Sequence, residues 1–172
     1  MDENGKSWTP DEMDGEWKVW IPDEMPEDWP LSFFHIFELV ELSCINGKLK
    51  LVFEGGENRV TVCYEYGWLT FRYADESDRW WNTLASVQAA RGGDFFLNRL
   101  TFIVEGSKYK KWYVQETAGI WQEDSFEHHC YVTSMDVVEV LSNRRPTFSF
   151  EEIPPEERQN EDGETEESER PW

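Results

Sequence analysis

An Asn-Gly pair between two stretches of alternating side chains most strongly constrains how this chain can fold. Residues 36–44 and 48–54 read IFELVELSC and KLKLVFE, and Asn46-Gly47 lies between them. Because Asn-Gly readily adopts the positive φ angles of a tight turn, the two stretches are predicted to pair as an antiparallel hairpin. Apolar residues at every second position of 48–54 also indicate a strand with one buried face.

Similar segments follow along the chain. Further strands are predicted at residues 59–66, 68–73, 100–104, 109–115 and 129–133, and helices at residues 79–90 and 136–141. Consecutive strands joined by turns usually pair with their neighbours, so an antiparallel meander is expected. The sequence therefore predicts the α+β class, with a mainly antiparallel sheet of six or seven strands and one or two helices.

The acidic side chains are concentrated at the two ends of the chain. The 172 residues carry a formal charge of −20, of which residues 1–30 contribute −8, residues 31–149 contribute −4 and residues 150–172 contribute −8. Three regions are therefore predicted: an acidic arm at 1–30, a folded domain at 31–149 and a disordered acidic tail at 150–172. The last region has too few large apolar side chains to offset the entropy of ordering it.

The first of these regions contains a short repeat. Residues 8–13 read WTPDEM, and residues 20–25 read WIPDEM. Two roles are open for these tryptophans. They can cover an apolar face of the domain, or they can form a tandem linear motif of aromatic anchors with acidic flanks that binds a basic, grooved partner.

Composition excludes several classes of protein. Nucleic acids and anionic membranes are bound by basic surfaces, which a chain with 36 acidic and 16 basic residues does not offer. No apolar run approaches the roughly 20 residues of a membrane span, and the first residues lack the pattern of a secretory signal. Three cysteines are an odd number. They do not form a disulfide framework, so a cytoplasmic location is expected.

No motif of catalysis or metal binding stands out. His128-His129-Cys130 is the one local group of ligand-type side chains, and a metal site there would need further ligands such as His35, Cys44 or Cys63. Serines in the chain have no GxSxG context. Neither a metal nor another cofactor is predicted, and an enzyme using His128 or His129 is the less favoured alternative. Lys108, Lys110 and Lys111 are predicted to lie on a solvated edge strand.

An acidic, aromatic-rich chain without a catalytic motif is best interpreted as a non-enzymatic binding protein. Negative potential attracts a basic partner, and Trp side chains supply contact area that charge alone does not. Nucleases are common basic partners, and a protein that covers such a functional surface is an inhibitor. The candidate partner-binding residues are Trp8, Trp20, Trp68, Trp80, Trp112, Trp121, Glu123, Asp124 and Glu127.

One stretch near the start of the folded region and one near its end resemble a known class of proteins. FHIFEL at residues 34–39 and YVTSMDVVEVL at residues 131–141 look like the layout of small bacterial immunity proteins, which neutralise polymorphic or contact-dependent toxins. The resemblance spans residues 34–141. It implies a tight one-to-one complex with a cognate toxin, without catalysis, and it carries over no particular toxin-binding residue.

Two functional hypotheses follow. The first is an immunity protein or inhibitor that neutralises a basic toxin such as a nuclease. The second is an adaptor or phage-type inhibitor that binds its partner through the Trp-Pro-Asp-Glu-Met motifs, with the sheet as a scaffold.

Overall fold

Nine strands and two helices make up the described part of the molecule. The computed structural model describes residues 14–27, 29, 37–75, 84–97 and 99–155. The strands are β1 (Glu16–Val19), β2 (Glu38–Ile45), β3 (Lys48–Gly55), β4 (Asn58–Tyr64), β5 (Trp68–Asp75), β6 (Thr101–Glu105), β7 (Glu127–Val132), β8 (Asp136–Ser142) and β9 (Thr147–Glu152). The helices are α1 (Ala85–Arg91) and α2 (Lys108–Glu116), and a 3-10 turn spans Glu123–Ser125. The α+β class is confirmed, with nine strands in place of six or seven.

The strands form two antiparallel sheets. Sheet A has the order β1-β6-β7-β8-β5, and sheet B has the order β2-β3-β4-β9. The predicted meander holds for β2, β3 and β4, but β5 leaves it and pairs with β8. Gly67 makes this change of sheet possible. Its φ is +85°, and a Cβ atom there would lie 2.6 Å from Oδ1 of Asn143, so a side chain does not fit.

The main core lies between the two sheets. Residues from β3, β4 and β9 on one side meet residues from β7 and β8 on the other, and the Phe53 and Tyr131 rings stack with centroids 5.7 Å apart. The buried members of this core are Trp20, Phe37, Leu49, Leu51, Phe53, Val60, Val62, Tyr64, Leu100, Tyr131, Val138, Val140 and Phe148. Alternate residues of each strand point into this layer, as the period of two requires.

The other face of sheet A is covered by the helices. Val87 of α1 packs near Trp17, Phe102 and Cys130, and Tyr109 of α2 packs near Leu141. Sheet A is therefore the middle of three layers. Its central strands β7 and β8 are buried on both faces, which explains their almost continuous run of buried side chains.

Two predicted elements have the wrong type. Residues 109–115 form helix α2 instead of a strand, because the Ser107 side chain caps the helix and accepts a hydrogen bond from the Lys110 backbone N–H at 3.2 Å. The three lysines therefore lie on a helix, and Lys110 is largely buried. Residues 136–141 form strand β8 instead of a helix, since their valines fit a central strand that pairs with β5 and β7.

The ends of the folded region also differ from the predicted boundaries. Residues 16–19 of the predicted arm are a strand of sheet A, and Trp17 and Trp20 are buried. At the other end β9 continues to Glu152, and Ile153 is buried. The described fold thus runs from residue 14 to residue 155. The first repeat copy at 8–13, His35, and residues 156–172 of the predicted tail lie outside the described residues, as do residues 79–83 of the predicted helix.

Candidate functional site

The surface around the end of α2 collects exposed apolar and acidic side chains. It is formed by the exposed side of α2, the following loop and the 3-10 turn, and we call it the α2 face. Its members are Trp112, Glu116, Ile120, Trp121, Glu123 and Asp124. Ile120 is 82% exposed, the most among the large apolar side chains of the described residues, and Trp112 is 47% exposed. Single exposed apolar residues are ordinary, but each of these two lies within four positions along the chain of an exposed carboxylate, Glu116, Glu123 or Asp124.

The loop that presents Ile120 has a defined backbone. Gly119 N–H donates to the Val114 carbonyl at 2.9 Å, which ends α2, and the Thr117 hydroxyl donates to the Tyr113 carbonyl at 2.9 Å. Ala118 and Gly119 both have positive φ, +48° and +74°, so the chain reverses sharply just before Ile120. Hydrogen bonds at the helix end therefore hold this loop, in the manner of a left-handed C-terminal cap.

Aromatic contacts connect the two tryptophans of the face. Trp112 stacks on Tyr109 with ring centroids 5.6 Å apart, and its ring lies 6.4 Å from that of Tyr113. Phe126 contacts Tyr113 edge-on at 5.7 Å and Trp121 at 6.4 Å. Trp112 and Trp121 thus belong to one continuous aromatic cluster, which limits how far either ring can move.

A buried lysine lies beneath the acidic part of the face. The Lys110 ammonium is 5.1 Å from the centre of the Phe126 ring, a cation–π distance. Burial lowers the pKa of Lys110, and the neighbouring charges of Glu123, Glu105, Glu127 and Asp124 oppose that change. Carboxylates therefore surround this ammonium on several sides.

The structure divides the predicted partner-binding residues. Trp112, Trp121, Glu123 and Asp124 come together on the α2 face. Trp20 is in the main core, which agrees with the covering role considered for it. Trp68 is half-buried, and its indole N–H donates to the Gly47 carbonyl at 2.8 Å. Trp8 and Trp80 lie outside the described residues.

Sequence reasoning missed Ile120, Tyr109, Tyr113 and Phe126 as members of this surface and its supporting cluster. Only Ile120 had a local signal. It is a large apolar residue directly after Gly119, in the segment between the predicted strands at 109–115 and 129–133, where apolar side chains have little to pack against. The other three depend on how α2 lies over the sheet.

His128 belongs to a largely buried polar network beneath α2. Its Nδ1 is 2.8 Å from the Ser107 hydroxyl oxygen, and its Nε2 lies 3.2 Å from Oε1 of Glu139. Arg72 donates to both carboxylate oxygens of Glu139, at 2.5 and 2.7 Å. Burial raises the pKa of Glu139, but the interactions with His128 and Arg72 outweigh it and hold that pKa well below its usual range.

The grouping of a serine, a histidine and a carboxylate resembles the parts of a hydrolase triad. Ser107 has no exposed surface, however, and its oxygen already accepts the N–H that caps α2. A nucleophile has to be reachable by its substrate. In this arrangement His128 links Ser107, which caps α2, to the side of Glu139 on β8, and so ties α2 to sheet A.

His129 belongs to a second network, between the sheets. Its Nδ1 is 2.8 Å from the Tyr64 hydroxyl, which is 2.7 Å from the Tyr131 hydroxyl. Its Nε2 is 3.0 Å from Glu127, and Glu127 also accepts two hydrogen bonds from Arg145 at 3.1 Å. The contact with His129 lowers the pKa of Glu127 to about 2, with a further contribution from Arg145 that exceeds the opposing effect of burial. Burial lowers the pKa of His129, and Glu127 opposes that change.

Neither histidine lies in a metal site of the described residues. No three His, Cys, Asp or Glu side chains of residues 14–27, 29, 37–75, 84–97 and 99–155 come close enough together to hold a metal ion. Cys130 is packed in the apolar core beside Trp17, and Cys44 and Cys63 are each at least partly exposed.

Comparison with known proteins found no matching family model, no matching curated protein and no matching solved structure. The resemblance to immunity proteins therefore stays a prediction. Within the described residues, no helix combines the length and the apolar character needed to cross a membrane.

Proposed function

We propose that this chain is a non-enzymatic binding protein of the cytoplasm that neutralises a basic toxin, such as a nuclease, and that it binds this partner through the α2 face. The observation that carries the proposal is the exposure of Ile120 and Trp112 beside Glu116, Glu123 and Asp124. Exposed apolar side chains on a segment that also carries exposed carboxylates suit a partner whose own surface is basic and grooved.

The anchors are supported in a way that favours tight binding. Interface affinity depends on a few well-packed side chains whose conformation is already set before binding. Trp112 is stacked on Tyr109, and hydrogen bonds at the end of α2 hold the backbone just before Ile120. Ordering this surface on binding therefore costs little conformational entropy.

Charge supports the choice of partner. A net charge of −20 attracts a basic protein and repels other acidic ones. The exposed carboxylates near Ile120 concentrate part of that charge at the proposed contact. Association is therefore expected to slow as salt is added, whereas the apolar anchors keep the complex together once it has formed.

The test compares two exposed isoleucines in the full-length chain. Ile120 is 82% exposed on the α2 face, and Ile45 is 66% exposed at the end of β2. Wild type, Ile120→Arg and Ile45→Arg are each immobilised and offered native lysate. We expect wild type and Ile45→Arg to retain the same basic protein, and Ile120→Arg to bind it at least about 30-fold more weakly, an effect of about 2 kcal/mol.

The retained protein is then purified and its own activity is measured with increasing amounts of the chain. Loss of that activity at a one-to-one ratio is the expected result for an inhibitor. Full activity in the complex would contradict the inhibitor role, and equal retention by Ile120→Arg would show that binding uses another surface.

The adaptor hypothesis is separated by a different variant. Trp20 of the second repeat copy is in the core, and Met25 packs against the same cluster, so changes there disturb the fold itself. Trp8→Ala alters only the first copy. Loss of retention in Trp8→Ala with normal retention in Trp112→Ala would move the function to the repeat.

A truncation at residue 31 is not a clean test of either hypothesis. It would remove β1, which pairs with β6 from Glu16 to Val19, together with the buried Trp17 and Trp20. Single substitutions in the full-length chain avoid this loss.

A further inference from the structure

A second candidate site lies away from the α2 face, where the end of β4 meets the turn between β8 and β9. A cleft of about 380 Å³ opens there. It is lined by Cys63, Glu65, Tyr66, Arg144, Arg145 and Thr147, and we call it the arginine cleft. Its volume falls in the range of pockets that hold small molecules.

The backbone around Arg144 is fixed by several hydrogen bonds. The Ser142 hydroxyl accepts from the Arg144 backbone N–H at 3.2 Å, and it lies 2.6 Å from the Arg144 carbonyl oxygen and 3.0 Å from that of Gly67. Asn143 N–H donates to the same Gly67 carbonyl at 3.0 Å. These bonds tie the β8–β9 turn to the chain after β4, so Tyr66 and Arg144 are held on neighbouring turns.

The Arg144 side chain is exposed and carries an uncommitted charge. Among the residues that the structure describes, no carboxylate pairs with it. Its guanidinium carbon lies 4.8 Å from the centre of the Tyr66 ring. Stacking of this kind steadies a guanidinium while leaving its N–H groups free to donate at the edge of the plane.

The other charges of the cleft are largely neutralised in pairs. Arg145 donates to both oxygens of Glu127, and Lys48 forms an ion pair with Glu65. The residues that line the cleft carry two cations, Arg144 and Arg145, and one carboxylate, Glu65, while Glu127 and Asp23 act on Arg145 from outside the lining, on a chain whose total charge is −20. A local excess of positive charge is unusual on so acidic a molecule.

We propose that the arginine cleft binds a small ligand through an oxyanion, a carboxylate or phosphate group, which accepts hydrogen bonds from Arg144 while Tyr66 supports the guanidinium from behind. Arg forms two parallel hydrogen bonds with such groups, which gives both strength and orientation. Arg145 is the second available donor, because its bonds to Glu127 are exposed and can be shared. This site does not depend on the α2 face.

The experiment titrates the 15N-labelled full-length protein with two probes, inorganic phosphate and glutarate, at constant ionic strength. We expect saturable shifts confined to the amides of residues 65–67, 143–145 and 147. Saturation by phosphate alone assigns a phosphate ligand, saturation by glutarate alone assigns a carboxylate ligand, and saturation by neither overturns the proposal.

Two variants with the same change in net charge make the test specific. Arg144→Gln removes the proposed contact, and Lys108→Gln removes an exposed charge at the start of α2. The dissociation constant should rise at least about 5-fold in Arg144→Gln and stay within 2-fold of wild type in Lys108→Gln. Equal weakening in both would show that the probes respond only to overall charge.

A third variant should strengthen binding. Glu127→Gln removes a carboxylate and releases Arg145 to face the probe, so the dissociation constant should fall about 3-fold or more. Because Gln can still accept a hydrogen bond, the contact with His129 can persist in this variant. Unchanged or weaker binding in Glu127→Gln would contradict the role of Arg145 as the second donor.

Discussion

His128 and His129 are neighbours on β7 with equally buried rings, and each contacts a carboxylate paired with an arginine, but the ion pair near His128 is the more deeply buried of the two. Successive residues of a strand point to opposite faces, so His128 lies under α2 and His129 lies between the sheets. Beneath α2 the partners include the fully ionised pair Arg72 and Glu139. Between the sheets Nδ1 of His129 faces the linked hydroxyls of Tyr64 and Tyr131, and Nε2 faces Glu127, whose ion pair with Arg145 is partly exposed.

The burial of a histidine alone does not determine how strongly its surroundings contribute to stability. The partners decide how costly it is to disturb each region. A charged group without solvent or a counterion is expensive, whereas a hydroxyl left without a partner costs less. The four predictions below rank the two regions by this reasoning.

The largest effect is expected beneath α2. Glu139→Gln leaves the Arg72 guanidinium without its carboxylate, and because the Arg72 side chain is 36% exposed the free energy of unfolding should fall by about 2–4 kcal/mol. Urea denaturation at neutral pH measures it, with the exposed Glu116→Gln as the matched control. A loss of less than about 1 kcal/mol would mean that solvent at the partly exposed Arg72 fully replaces the contact with Glu139.

A smaller effect is expected between the sheets. Tyr64→Phe removes the hydroxyl that lies between His129 and Tyr131, and it leaves both partners with one contact fewer. The expected cost is about 1–3 kcal/mol by the same denaturation measurement. Should Tyr64→Phe prove as costly as Glu139→Gln, the buried carboxylate would not be harder to replace than the buried phenol.

The network between the sheets should also make the protein sensitive to acid. The pKa values of His129 and Glu127 are both lowered in the folded state, so the unfolded chain binds more protons than the folded chain as the pH falls. The contribution of neutral His129 to the free energy of unfolding is fully present above pH 6.5, the ordinary pKa of His, and decreases as the pH falls below it. A further decrease begins below the ordinary Glu value of 4.5 and continues to about 2.

Each such proton changes the free energy of unfolding by about 1.4 kcal/mol per pH unit. His129→Gln should therefore flatten the stability curve between about pH 6.5 and 4.5. Denaturation at a series of pH values checks this. A variant that keeps the wild-type slope in that interval would show that another group takes up the proton.

The smallest effect is expected for Ser107→Ala. The substitution removes the cap of α2 and the partner of His128 Nδ1, and it should cost about 1 kcal/mol. Asp14 still accepts a hydrogen bond from the Lys108 backbone N–H at 2.7 Å, so the helix keeps a second cap. Thermal unfolding of Ser107→Ala and wild type measures this difference. A loss of stability as large as that of Glu139→Gln would show that the network depends mainly on Ser107.

The sequence predicted the hairpins better than the contacts between distant elements. Asn46-Gly47 and the alternating β3 and β4 fix the start of sheet B, because turn chemistry and a period of two act locally. Residues 109–115 were misinterpreted because YKKWYVQ suits either a strand or a helix, and the deciding cap is the preceding Ser107.

Strand β8 shows the opposite difficulty. Thr133 or Ser134 as a cap, and Asp136 as an acid at the start of DVVEVL, favoured a short helix. In the structure Glu139 is buried, because Arg72 comes from β5 and His128 from β7, 67 and 11 positions earlier in the chain. No local pattern reports such a partner.

For the α2 face, composition identified the tryptophans and acids but not which of them meet. Trp112, Trp121, Glu123 and Asp124 are close in sequence, so they stay together in the fold. Trp20 has the same composition around it, and β1 draws it into the core. Whether a tryptophan is exposed or buried in the core depends here on a strand pairing that only the tertiary structure shows.

The order of strands in sheet A determines how late the chain can fold during its synthesis. Strand β1 pairs with β6, and β5 pairs with β8, so both early strands need partners that are synthesised later. Sheet B is complete only when β9 pairs with β4. Trp17 and Trp20 therefore leave the ribosome long before the residues that bury them. Until about residue 153 has emerged, these apolar side chains are open to chaperones, and the domain closes late and as a whole.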